Sequence, residues 1–209
     1  ACLVGSEMCI RDRGRMSETA LEHLDALLAG NLRFAEGTAT IERAELALGQ
    51  EPFAVIVGCS DSRVPVETVF DRGPGEIFVV RVAGNVVHDD TVLASVEYAV
   101  DVLKTHLVLV LGHSGCGAVT AAIDHVRNGT TFPGHIGRLV EAIVPVAEAS
   151  REGEGVWLER AVVENVRRNV DALTRRSLIL AAAVREKRLV VKGAVYDLHA
   201  GQVALIPSR

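Results

Sequence analysis

Two thiols and one imidazole occupy positions from which they could share a metal ion. Cys59 follows the apolar run Phe53 to Val57 and Gly58, and His113-Ser114-Gly115-Cys116 follows the apolar run Leu107 to Leu111, closed by Gly112. Short continuous apolar runs of this kind read as buried strands. Both groups would then lie at strand carboxyl ends, on the rim of the sheet where α/β proteins place their sites. Thiolate and imidazole suit a borderline-soft ion, and three protein ligands with a fourth position open are the pattern of catalytic zinc. Zinc held in this way lowers the pKa of a bound water from about 15.7 toward about 7, so hydroxide becomes available at neutral pH. Gly115 and Gly117 read as the turn residues that let His113 and Cys116 face one point.

Taken singly, each cysteine is as well explained as a small buried hydrophobe, and His113 as a hydrogen-bonded core residue. The segment Cys59-Ser60-Asp61-Ser62-Arg63 weighs against that reading, because a carboxylate stands two residues beyond a thiol and a guanidinium two beyond that. In extended backbone, alternation would aim all three to one side. A solvated loop ion pair is the plainer account of Asp61 and Arg63. The stretch Gly112 to Gly117 imitates a phosphate loop but is not GxGxxG, and no Gly-Lys-Ser/Thr occurs in the chain.

The elements that must position these groups are legible in outline. Ser17 is a good N-cap for an amphipathic helix through Leu21, Leu24, Leu28 and Leu32, stopped by Gly37. Strands are expected at 53–57, at 76–82 after the turn Gly73-Pro74-Gly75, at 107–111, at 189–192 and at 202–206, the last two joined by a turn at 196–201. Helical spacing covers 90–103 through Leu93, Val96, Val100 and Leu103, then 116–127, 135–149 and 156–175, with a break at 151–155. The expectation is a single-domain α/β fold: a mostly parallel central sheet flanked by helices, an antiparallel edge strand and an N-terminal helical arm.

Composition narrows the class. The 209 residues are 49% hydrophobic with a formal net charge of −5, enough for one sizeable core without disulfide staples. An acidic balance with no basic stripe argues against nucleic acid, and no apolar run is long enough to span a bilayer. Residues 1–15 read as a non-native or disordered extension, their arginines following the apolar part, opposite to a secretory signal. The domain is expected at 16–209, which leaves Cys59 and Cys116 as its only cysteines. A cytoplasmic location follows, where such a pair serves a metal or catalysis rather than a disulfide.

The motifs CSDSRVP at 59–65, RVAGN at 81–85, EYAVDVLK at 97–104 and GHSGCGAV at 112–119 together resemble the β-class carbonic anhydrases, bacterial in type with plant-like pocket residues. The resemblance implies one Zn2+ per subunit on Cys59, His113 and Cys116, and reversible hydration of carbon dioxide to bicarbonate and a proton. It implies that Asp61 and Arg63 act beside the metal. Arg63 would keep Asp61 ionised and turned away; without that partner Asp61 becomes a conditional fourth ligand that closes the site. Gln50, Phe78 and Tyr98 match residues lining the substrate pocket, with Val64 and Gly117 beside them through the motifs. Arg81 and Tyr98 match two positions of a regulatory bicarbonate site, but Ile56 replaces its Trp, which favours the open form. His88 is a candidate proton shuttle. A homodimer or dimer of dimers is implied, with sites near the interface. Rival readings are hydrolysis of carbon disulfide or carbonyl sulfide on the same scaffold, a non-catalytic bicarbonate-binding protein, and a metal-free thiol protein using Cys59.

Overall fold

The computed structural model describes residues 46–207. The β-branched run at its start becomes β1 (Ala54–Gly58), buried throughout, as a strand covered on both faces must be. One helical turn, α1 (Val66–Val69), precedes β2 (Ile77–Arg81). A 3₁₀ turn at Ala83–Asn85 leads to α2 (Asp90–Asp101), capped by Asp89, which accepts the Thr91 amide at 2.8 Å. Then come β3 (Leu107–His113), α3 (Gly117–Asn128), α4 (Gly134–Ala149), α5 (Trp157–Arg176), α6 (Leu178–Arg185), β4 (Val190–Tyr196) and β5 (Val203–Leu205).

The strand order is β2-β1-β3-β4-β5, parallel except for β5, which runs antiparallel on the edge beside β4. From β1 the chain moves to one side for β2 and to the other for β3, so the loops leaving β1 and β3 diverge. That is the switch point at which open α/β sheets form a crevice. Gly58 pairs with Leu111, which brings Cys59, just beyond β1, level with the end of β3.

Val55, Val57, Val108 and Val110 pack on one face with residues of α2, α5 and α6. Ala54, Ile56, Leu109 and Leu111 pack on the other with Val64 and Val66. A third cluster gathers Cys59 and Cys116 with residues of α3, α4 and α5. A Cβ on Gly112 or on Gly193 would lie 2.6 Å from a Val166 methyl group, so these glycines let α5 rest directly on β3 and β4.

The departures from expectation are local. β3 runs on to His113, and β4 continues past Lys192 to Tyr196, while β5 is shorter than 202–206. Neither α1 nor α6 was expected. The stretch Leu178–Val184 is apolar all round and shows no amphipathic period, yet Ser177 starts a helix there by accepting the Leu180 amide at 3.1 Å. The helix expected from Ser17 and the extension 1–15 lie outside the described residues. Among the described residues no helix is long and apolar enough to cross a membrane.

Candidate metal centre

Cys59 leaves β1 with its backbone already held. Its carbonyl accepts Arg81 Nε at 3.0 Å, and the Asp61 carbonyl accepts Arg81 Nη2 at 2.6 Å, so the guanidinium at the end of β2 spans the loop after β1. The Cys59 sulfur accepts the Gly84 amide at 3.3 Å. Gly84 has φ +69, and a Cβ there would lie 2.8 Å from Ile143 Cδ1. Both the backbone conformation and the space therefore require glycine.

His113 is the last residue of β3 and is fully buried. Its Nδ1 lies 3.0 Å from the Ser114 carbonyl, which assigns the ring proton to Nδ1 and leaves the Nε2 lone pair for a ligand. Gly115, at φ +64, turns the chain so that Cys116 arrives at the N-terminus of α3, where the helix dipole favours a thiolate. The expected second turn glycine has ordinary backbone: Gly117 opens α3 and faces open space. Ser114 ties this loop to the chain after β4, its amide donating to the Tyr196 carbonyl and its hydroxyl accepting the Leu198 amide, each at 2.9 Å.

The ligand atoms of Cys59, His113 and Cys116 all lie within 4.8 Å of one another. His113 Nε2 is buried and has no hydrogen-bond partner among the described residues, a costly state for a polar atom that a metal ion relieves. Cys59 is driven down to about 4, first by the hydrogen bond from Cys116 and against the effect of burial. The same bond, with burial, pushes the Cys116 proton far up. Burial, the largest single influence, opposes charging of His113, but the Cys59 thiolate, the Ser114 carbonyl and Asp61 together outweigh it and the imidazole is raised. A dication held by these three groups would compete with protons for the sulfurs and the ring nitrogen. The soft donor set fits zinc.

Arg63 grips Asp61 with both prongs, Nε to Oδ1 at 2.9 Å and Nη2 to Oδ2 at 2.7 Å, while the Arg63 amide adds a bond to Oδ1 at 3.0 Å. The Arg63 side chain is the main reason the Asp61 carboxyl is held well below the usual carboxylate range. Arg63 Nη2 also reaches the Gly115 carbonyl at 3.2 Å, linking the two loops. Asp61 Oδ2 stands 3.8 Å from His113 Nε2. Strand alternation does not produce this arrangement. The chain turns at Ser62 and Arg63, with the Val64 amide donating to the Asp61 carbonyl at 3.0 Å, and the turn folds Arg63 back on Asp61.

The residues expected around substrate are spread more widely. Gly117 lies beside Cys116, but Val64 is fully buried beneath the loop, packed with Ile56, Leu109 and Leu111. Phe78 pairs with Val55, four residues short of Cys59 and about 13 Å back along the strands. Its ring lies 6.4 Å from that of Tyr98, which is 48% exposed. Gln50 is exposed before β1, in a depression shared with Leu46, Pro74 and Gly75. Gln50 and Phe78 therefore lie toward the amino end of the sheet, with Tyr98 beside Phe78, away from the Cys59 centre. His88 is exposed ahead of α2. Its ring is shifted toward the neutral form by partial burial, then by Arg176 and Arg168.

The family model for carbonic anhydrase matches residues 54–203. Carbonic anhydrase 2 of Mycobacterium tuberculosis is 40% identical over 186 residues, covering 86% of this chain and 89% of its own. The crystal structure of a β-carbonic anhydrase of Aspergillus fumigatus superposes with a TM-score of 0.77 at 30% identity, over 88% of this chain and 90% of that one. The chain belongs to the β-carbonic anhydrase family. A Coccomyxa β-carbonic anhydrase, solved in complex with acetazolamide, superposes equally well, with a TM-score of 0.77 at 31% identity over 88% of this chain and 86% of its own. β-Carbonic anhydrases are zinc lyases that hydrate carbon dioxide reversibly, and the Cys59, His113 and Cys116 cluster is compatible with that metal. Sequence reasoning missed Gly84 as a donor to Cys59 and saw Arg81 only as a regulatory match, although RVAGN leaves β2 beside the loop that leaves β1.

Proposed function

We propose that this chain interconverts carbon dioxide and bicarbonate with Cys59, His113 and Cys116 as the zinc ligands and Asp61 and Arg63 as the groups that manage charge and water beside them. The unpartnered, buried His113 Nε2 facing two thiols carries this reading. When bound, zinc supplies a water acidic enough to serve as a nucleophile at neutral pH. Asp61, kept ionised by Arg63, would accept a hydrogen bond from such a water and orient it. Arg63 engages both carboxylate oxygens and would thereby keep Asp61 from serving as a fourth ligand, which favours the open form of the centre. The Gly115 carbonyl fixes the guanidinium in turn.

Gln50, Phe78 and Tyr98 serve the centre of a second copy in a homodimer or a dimer of dimers. Their place away from their own Cys59, and the exposure of Leu48, Phe53 and Tyr98 in the same part of the sequence and sheet, support this. The Sordaria macrospora β-carbonic anhydrases among the structural neighbours are tetrameric. Two buried free thiols suit a reducing cytoplasm.

Zinc quantification on the same sample used for a carbon dioxide hydration assay tests the reading. One zinc per subunit is expected, with activity lost on chelation and regained with zinc. Fully zinc-loaded protein without hydration activity, or activity without zinc, would overturn it.

A further inference from the structure

Two buried carboxamides, Asn165 and Asn169, lie one turn apart on α5, only 2% and 4% exposed, on a face otherwise made of Ala161, Val162, Val166, Ala172 and Leu173. Burying an amide costs free energy unless its hydrogen bonds are made, so their partners show what they are for. Asn165 Nδ2 donates to the Gly84 carbonyl at 2.8 Å, and Asn169 Oδ1 accepts the Val87 amide at 2.9 Å. Asn169 Nδ2 donates back to the Asn165 carbonyl at 2.8 Å and to Asn165 Oδ1 at 3.2 Å, which joins the two into one unit. That unit grips both ends of the segment from Gly84 to Val87.

The segment needs an external grip. Gly84 and Asn85 both take positive φ, at +69 and +46, and the buried Asn85 Nδ2 has no hydrogen-bond partner among the described residues. Backbone of this kind persists only where its surroundings over-determine it. The amide that the strained turn presents is that of Gly84, and it points at the Cys59 sulfur. Hydrogen bonds to a ligating thiolate fix its direction and withdraw charge from it, and thereby tune the metal.

We infer that Asn165 and Asn169 are positioning residues of the zinc centre, which hold the Gly84 amide on the Cys59 thiolate from a helix that supplies no ligand. The inference rests on Cys59, His113 and Cys116 being the ligand set. It predicts a direct link between α5 and the electronic state of the metal.

The experiment loads 15N-labelled full-length protein with cadmium-113 and looks for scalar coupling between the metal and the Gly84 amide proton, transmitted through the sulfur and its hydrogen bond. In parallel, zinc affinity is measured against a chromophoric chelator, and the thiolate-to-metal absorption band of the cobalt-substituted protein is recorded. The wild type shows the coupling. Asn165→Ala loses it, shifts the cobalt band and weakens zinc binding about tenfold or more. Asn169→Ala, which removes both the acceptor for the Val87 amide and the donor to Asn165, weakens the coupling. If Asn165→Ala does not fold, Asn165→Asp, equal in size but without the amide donor, is read in its place. A wild type that binds cadmium but shows no coupling would overturn the inference, as would a folded Asn165 variant with unchanged coupling, band and affinity. A wild type that takes up no stoichiometric metal would instead overturn the ligand assignment.

Discussion

At the carboxyl ends of β1 and β3, the three candidate ligands are buried and braced from several directions, by Arg81 across the Cys59 loop, by Gly84 on the sulfur and by Ser114 against Tyr196 and Leu198. Toward the amino end of the sheet, Gln50, Phe53 and Tyr98 stand exposed. The contrast separates two tasks. Holding a dication on soft ligands demands fixed geometry and can be completed within one chain. Enclosing a small uncharged substrate demands a covered apolar surface, which a second subunit can supply.

The largest effects are expected where bracing is densest. Replacing His113 with Ala or Cys116 with Ser takes zinc from one per subunit to near none and abolishes measurable hydration. Atomic absorption on the purified variants checks this, and stoichiometric zinc in either would show that the centre lies elsewhere. Next is Arg63→Ala, for which turnover falls about tenfold to a hundredfold while zinc content changes little. Stopped-flow hydration assays paired with zinc analysis separate these two effects, and unchanged turnover would remove the Asp61 and Arg63 pair from the mechanism.

At the other end of the sheet, Tyr98→Asp sharpens the comparison. Zinc content is expected to stay at one per subunit, while sedimentation shows dissociation and hydration activity falls. A fully active monomer would refute the division of tasks between subunits.

The smallest effect concerns pH. The Asp61 carboxyl is lowered in the fold, so its contribution to stability is fully present above the ordinary carboxylate value of about 3.9 and is lost as pH falls through the folded value. In chelator-treated protein, urea midpoints of wild type and Asp61→Asn therefore differ slightly at pH 7 and converge in acid. Arg63 is largely exposed, which keeps the gap small. A gap that stayed constant down to pH 2 would contradict the pairing.

Much of this was legible in the sequence for a physical reason. β1 and β3 are buried on both faces and so appear as unbroken apolar runs, and their ends locate Cys59 and His113. The apolar pattern of β4 ends at Lys192 and Gly193 although the strand runs on to Tyr196, and Gly193 is there to admit Val166 of α5. α6 lacked a polar face to reveal its period. Local turn chemistry at Ser62 and Arg63 replaced the expected alternation, yet brought the same two side chains together. The bracing was hidden, since Asn165 and Gly84 are 81 residues apart and no local spacing connects them.

X-ray absorption at the zinc edge of the wild-type protein tests most directly whether one ion is held by two sulfurs and one ring nitrogen. The predicted spectrum has two sulfur neighbours near 2.3 Å, one nitrogen near 2.0 Å and one further light atom. Four sulfurs, or light atoms alone, would contradict it.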